Sequence, residues 1–216
     1  MILNWRAPGV YAEWLAQLGY QVELLDPVPK HVEQASRVCP ARLGDARSLP
    51  FADTSADAVL LLGPLYHLTT FGDRLTALRE ARRVLRPGAP LFAAAISRFA
   101  SLMDGLMRGL IDDPAFPPIM LRDLDDGQHR NVTGNPEFFT DAYFHRPADL
   151  RREIQEAGFS DVAVFGVEGP VWVAPDFPAR WENPEKRAQL LDLARRVERE
   201  EEILGLSLHL LAVASA

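Results

Sequence analysis

The chain has 216 residues, of which 48% are hydrophobic and 25% charged, with a formal net charge of −7. That balance suits one globular domain with a sizeable core, and the acidic excess without a basic stripe argues against nucleic acid as a partner. One cysteine, Cys39, excludes an internal disulfide and fits a reducing compartment; no apolar run reaches the roughly 20 residues of a membrane span and no signal pattern opens the chain, so a cytoplasmic protein with no membrane partner is expected.

Ile2-Leu3 reads as the tail of a strand. Pro8-Gly9 opens a helix whose Val10, Trp14, Leu15 and Leu18 share one face, and Gly19 stands at its stop. Residues 21–25 read as a strand ending at Asp26, and Pro27-Val28-Pro29 starts a short helix to about Ser36, with Val32 and Ala35 inward. Ala41-Arg42-Leu43 is a short strand, and 44–51 (GDARSLPF) is a loop. Val59 to Leu62 is continuously apolar, as suits a strand buried on both faces in the middle of a parallel sheet. Gly63-Pro64 ends it sharply. Tyr66 and His67 then follow at what would be the carboxyl end of the sheet, where open α/β sheets place their ligands. An ordinary core strand, turn and loop would read the same way.

Asp73 is expected to cap the next helix, with Leu75, Leu78, Arg82 and Leu85 marking its stripe and Arg86-Pro87-Gly88 its end. Residues 91–96 form another buried strand. This alternation predicts a parallel sheet with right-handed crossovers. Residues 97–146 break the rhythm with a helical start, three prolines (Pro114, Pro117, Pro118), a short helix near 119–124 and a punctuated loop. An insertion of that length predicts a substrate cap within a single domain spanning 1–216. A helix over 147–158, a strand over 162–167, a long charged helix over 184–204 and a last strand over 207–213 complete the chain.

Several segments, in this order, resemble a class I S-adenosylmethionine (SAM)-dependent methyltransferase. They are the Pro-Gly opening a helix, the acid ending the second strand, GDARSLPF, ADAVLLLGPLYHL, EARRVLRPG with its following strand, and RPADLRREIQEAGF. The resemblance implies a Rossmann-like α/β fold. Its mostly parallel twisted sheet is flanked by helices, the last strand is antiparallel, and a helical and loop cap is inserted after the fifth strand. It implies SAM as cofactor and a small-molecule methyl acceptor. In that reading Asp26 accepts the ribose hydroxyls, as an acid does in dinucleotide folds; as an ordinary residue it would cap the turn before Pro27. Asp45 would accept from the adenine amino group and the Ala46 amide would serve a ring nitrogen, against a plain surface-turn role. Gly63 would let the sheet end approach the methionine part, and Leu65 would pack on the cofactor. Tyr66 and His67 are the candidates nearest the transferred methyl. His67 is apt as a base where the acceptor must lose a proton, although methyl transfer from a sulfonium needs mainly in-line positioning. His129, Arg130, Tyr143 and His145 in the inserted segment suit acceptor binding, or a cap that packs on itself. No metal ligand set is expected.

The pattern departs from the family at its first turn. A glycine-rich Asp/Glu-x-Gly-x-Gly-x-Gly stretch is expected there, whereas this chain reads Asn4-Trp5-Arg6-Ala7-Pro8-Gly9, and Gly9 alone matches. Either the first residues are a truncated or misread start of a normal enzyme, or the chain is a variant with weakened SAM binding. A short first strand would thin the sheet's centre and invite pairing with a second copy as a homodimer. The alternatives to an active enzyme are a non-catalytic binding or assembly module of the same fold and an NAD(P)-dependent oxidoreductase. The missing glycine fingerprint disfavours the oxidoreductase.

Overall fold

In the computed structural model, residues 2–4 and 9–216 are described, with side chains from Gly9 onward. The chain forms two compact units. The first comprises residues 1–95, 150–163 and 212–216, and the second 96–149 and 164–211.

The first unit is built on a parallel sheet. β1 (Ile2–Asn4) sits between β2 (Glu23–Asp26) and β4 (Val59–Leu61) and pairs with both in parallel. β3 (Ala41–Leu43) lies outside β2, and β5 (Pro90–Ser97) outside β4, also in parallel. The order β3-β2-β1-β4-β5 therefore puts a three-residue strand, the least expected of the five, at the centre. β9 (His209–Ser215) pairs with β5 and with β8 (Ser160–Gly166). The Ser97 amide donates to Leu208 and the Ala216 amide to Ala89, so β9 runs antiparallel to β5. The expected α/β architecture with an antiparallel last strand is thus present.

The strands bury Leu24, Leu25, Val59, Leu61, Leu91, Ala93 and Ala95 almost completely. Helix α4 (Phe71–Val84) covers them with Ala77, Leu78, Ala81 and Val84, one continuous stripe at helical spacing. Its cap is Thr70 and not Asp73. The Thr70 hydroxyl accepts from the Asp73 amide at 3.2 Å and donates to the Asp73 carboxylate at 2.7 Å. Asp73 thus sits three residues in, where its charge favours the positive end of the helix.

Helix α1 (Val10–Gln17) departs from expectation. Ala12 and Leu15 are buried, while Val10, Trp14 and Leu18 are 61%, 54% and 58% exposed. The helix carries two apolar faces, 12/15 and 10/14/18, and periodicity alone cannot choose between them. Gly9 decides it. It caps the helix with φ +87°, and a Cβ there would meet Val38 at 3.0 Å and the Ala35 backbone at 3.4 Å. That close approach sets the start of the helix against α2 (Pro29–Ala35), which Ala35 ends, with the Ala12 and Leu15 face inward.

The second unit contains α5 (Ala100–Arg108), α6 (Phe116–Asp126), β6 (Gln128–His129), β7 (Ala142–His145), α8 (Phe177–Glu182) and α9 (Pro184–Val197). Phe116, Ile119 and Phe138 form its local core. α9 stops at Val197, short of the expected 204. The following run Glu198, Glu200, Glu201, Glu202 places like charges at the negative end of a helix, where they disfavour its continuation. α7 (Pro147–Glu156) begins in the second unit and lies mostly in the first.

One ionisable cluster of the second unit carries a pH dependence. Glu168 accepts from the Ser207 hydroxyl at 2.7 Å, the His209 amide at 3.0 Å and the His209 ring at 2.5 Å. Burial would push its carboxyl up, but the His209 bond and charge and the Ser207 bond outweigh burial and bring it down to about 2 from 4.5. Because the folded value is depressed, the stabilisation is present above the ordinary value of 4.5 and is lost as pH falls toward 2. Denaturant midpoints across that acid window are expected to fall, and Glu168→Gln is expected to flatten the fall; an equally steep fall in the variant would exclude Glu168 as its source.

Candidate active site

The carboxyl ends of β2, β3 and β4 bring together the acids and glycines singled out in the sequence, all within the first unit. Asp26 closes β2 and is 2% exposed. Its Oδ1 accepts from the Val28 amide at 2.8 Å, a turn of the Asx type. His31, from the first turn of α2, approaches the same carboxylate. Its Nδ1 stands 3.1 Å from Oδ1 and 3.2 Å from Oδ2. A carboxylate only accepts, so Nδ1 carries the hydrogen. Asp26 is therefore both a turn cap and a buried, oriented acceptor at a strand end.

The loop after β3 is pinned from two sides. Gly44 packs against the Leu25 side chain of β2, where an added Cβ would meet the Leu25 methyl at 2.5 Å and force that side chain to shift. Farther along, the Leu49 amide donates to Glu80 at 2.9 Å, and Arg83 of α4 donates to the Phe51 and Leu49 carbonyls at 2.8 and 2.9 Å. Asp45 and buried Ala46 lie between these anchors. Asp45 accepts from the Arg47 amide at 2.8 Å and from its guanidinium at 2.6–3.1 Å, and Arg47 reaches on to Asp73 at 2.9 Å. The hydrogen-bonded Arg47 holds the Asp45 carboxyl below the usual carboxylate range. Arg47 was not singled out in the sequence, although an arginine two residues past a turn acid is a readable partner.

After β4, Gly63 caps a single helical turn, α3 (Pro64–His67). Leu65 is fully buried. The Tyr66 hydroxyl donates to the Leu62 carbonyl at 2.9 Å, and the Tyr66 and His67 rings lie 4.7 Å apart. His67 is exposed and Tyr66 half-buried. The segment beyond is held by Arg74, which donates to the Leu68 and Thr69 carbonyls at 3.2 and 3.0 Å while pairing with Glu153 at 2.7 and 2.9 Å. Of the first turn, Gly9 is described. Trp5 and Arg6, which stand where the family's glycine-rich turn is expected, lie outside the described residues, as do Ala7 and Pro8.

The four residues expected to bind the acceptor fall in the second unit and differ in setting. His129 is 2% exposed. Its Nδ1 meets Asp123 at 2.7 Å and its Nε2 meets the Phe138 carbonyl at 2.6 Å, with the Phe144 ring stacked 4.9 Å away. Burial would lower its pKa, but the Asp123 bond and charge and the Phe138 bond prevail and raise it. Asp123 also accepts from Ser101, and its Oδ1 is buried without a hydrogen-bond partner among the described residues. His129 thus serves the interior of its unit. His145 is buried, and Tyr143 stands edge-on to it at 4.7 Å with Arg98 5.9 Å from the Tyr143 ring. Arg130 is exposed and pairs with Asp126 at 3.4 Å. Among the described residues, no group of three or more His, Cys, Asp or Glu could hold a metal ion, and no helix is long and apolar enough to cross a membrane.

Residues 7–93, nearly the whole first segment of the first unit, match a family described as a methyltransferase domain. A demethylmenaquinone methyltransferase of Mycolicibacterium paratuberculosis is 30% identical over 149 residues, 69% of this chain and 54% of that protein. One from Corynebacterium glutamicum is 33% identical over 124 residues, 55% of this chain and 49% of that protein. A probable human tRNA methyltransferase 9B is 39% identical over 56 residues, 26% of this chain and 12% of that protein. The chain thus spans about half or less of these relatives. A SAM-dependent methyltransferase from Methanosarcina mazei shares the fold at TM-score 0.63 and 19% identity, over 99% of this chain and 91% of that one. Another from Mesorhizobium loti does so at TM-score 0.64 and 14% identity, over 100% and 89%. Residues 7–93 thus match the methyltransferase-domain family, and the chain shares the fold of these SAM-dependent methyltransferases over nearly its whole length.

Proposed function

We propose that this chain binds SAM in its first unit and transfers the methyl group to a small-molecule acceptor. Asp26 carries the reading. It is a nearly fully buried carboxylate at the carboxyl end of a strand beside the sheet's centre, the position at which open α/β sheets take a ribose. A buried acid with hydrogen-bond donors already turned toward it is built to accept, and the diol of a nucleoside supplies two hydroxyls. Asp45 and the Ala46 amide, on a loop pinned to α4, supply an acceptor and a donor suited to adenine. Gly63 and buried Leu65 line the approach from β4, and Gly9, with its close backbone approach, stands where the first turn meets α1. The residues present therefore fit the cofactor. The sulfonium supplies an already activated methyl group, so the protein's task is positioning and exclusion of water. His67, exposed at the end of α3, is assigned as proton acceptor where the acceptor ionises, and Tyr66, tied to Leu62, holds the turn that presents it.

The net charge of −7 favours a small acceptor over RNA. The bacterial relatives named for demethylmenaquinone support that class, while the human relative named for tRNA matches over 56 residues only. Arg130, Tyr143 and His145 remain the proposed acceptor contacts; His129, with both ring nitrogens committed, is assigned to the interior. Incubation with methyl-labelled SAM, a panel of hydroquinones and phenols, and transfer RNA tests the reading. Label transferred to a small acceptor supports it, and label transferred to RNA alone overturns the acceptor class.

A further inference from the structure

The His31–Asp26 contact does more than join α2 to β2. A vicinal diol uses both carboxylate oxygens, one for each hydroxyl. The His31 Nδ1–H is nearly equidistant from those two oxygens, at 3.1 and 3.2 Å, and so stands astride the edge that a diol would need. The Val28 amide, by contrast, holds Oδ1 alone and leaves that edge open. The ring is able to leave. Its side chain is 24% exposed against 2% for Asp26, and it sits in the first turn of a short helix, where a χ1 change moves the ring without disturbing the backbone. With the ring gone, the Val28 amide still fixes the carboxylate's orientation.

We infer that His31 competes with the cofactor's ribose for Asp26, so that the protein occupies its own ribose site and cofactor affinity is set by the exchange of the His31 ring for the diol. This rests on the reading of Asp26 as the ribose acceptor. Free Asp26 would be a buried charge short of donors, which is costly, and His31 meets that need in the absence of a nucleoside. Binding then replaces one charge-assisted bond by two, and the net gain is smaller than for an open carboxylate. The Asp-x-x-x-x-His spacing across the strand end and the first helical turn was visible in the sequence, but nothing there tells the side of the helix on which the ring lies.

Calorimetric titration with S-adenosylhomocysteine tests the competition. The arms are the wild type, His31→Ala, His31→Leu, which keeps bulk without a donor, and Asp26→Asn, with thermal melts to show that each is folded. Both His31 variants are expected to bind about fivefold tighter than the wild type, the scale of one lost competing hydrogen bond. Wild-type binding with His31 variants equal or weaker overturns the competition and leaves the Asp26 reading standing. Asp26→Asn binding as tightly as the wild type, or no binding by any protein at millimolar ligand, overturns the Asp26 reading and the competition with it.

Discussion

Glu153→Ala is expected to cost the first unit about 3–5 kcal/mol, the scale of removing one partner from a buried ion pair. Arg74 and Glu153 are 2% and 3% exposed in their side chains, and the guanidinium meets the carboxylate through both Nε and Nη2 at 2.9 and 2.7 Å. With the carboxylate gone, a buried guanidinium keeps its charge and loses its counter-ion. Replacing both by leucine instead is expected to be near neutral, because no uncompensated charge remains. The double variant nevertheless frees the Leu68 and Thr69 carbonyls that Arg74 holds, so it should keep its stability while loosening the segment just past His67. Urea midpoints measure the first effect. A loss below about 1 kcal/mol in Glu153→Ala would mean that the pair is solvated and that the buried clamp between α4 and α7 does not exist as described.

Asp26→Asn is expected to weaken S-adenosylhomocysteine at least about thirtyfold, since hydrogen bonds to a charged acceptor contribute roughly 1.5–3 kcal/mol each and the ribose offers two. The change is nearly isosteric, and the amide oxygen can still accept from Val28. Stability should therefore change far less than affinity. A melting temperature that collapses along with binding would show that the acid is needed for the turn after β2, not for a ligand. Affinity that survives the change would show that the ribose is held elsewhere.

Much of the fold was legible because its signals are strong and local. The apolar run 59–62, the Gly63-Pro64 stop and the helix–strand alternation to Ser97 follow from buried parallel strands, which read as continuous hydrophobic stretches. The positions of Asp26, Asp45 and Gly63 at strand ends came with that alternation. What the sequence hid was of three kinds. Where a helix carries two apolar faces, as α1 does, the buried one is chosen by a neighbour's backbone, here the approach of Gly9 to Ala35. Where a helix end is set by electrostatics, as at Val197, a periodic pattern runs on past it. Long-range polar partners were also hidden. His129 was readable as a polar residue in a cap, but its burial against Asp123 and Phe138 depends on a chain reversal that periodicity does not encode. The same holds for Arg74 and Glu153, which are 79 residues apart in sequence. The centre of the sheet is the instructive case. Ile2–Asn4 is too short to read with assurance, yet it pairs on both sides, because the strands flanking it already define the slot.

The central claim is that the first unit holds SAM through Asp26. Its most direct test is calorimetric titration of the wild-type chain with S-adenosylhomocysteine. A saturable one-to-one heat that Asp26→Asn weakens at least about thirtyfold is the predicted result, and no heat from a folded wild-type protein at millimolar ligand would contradict it.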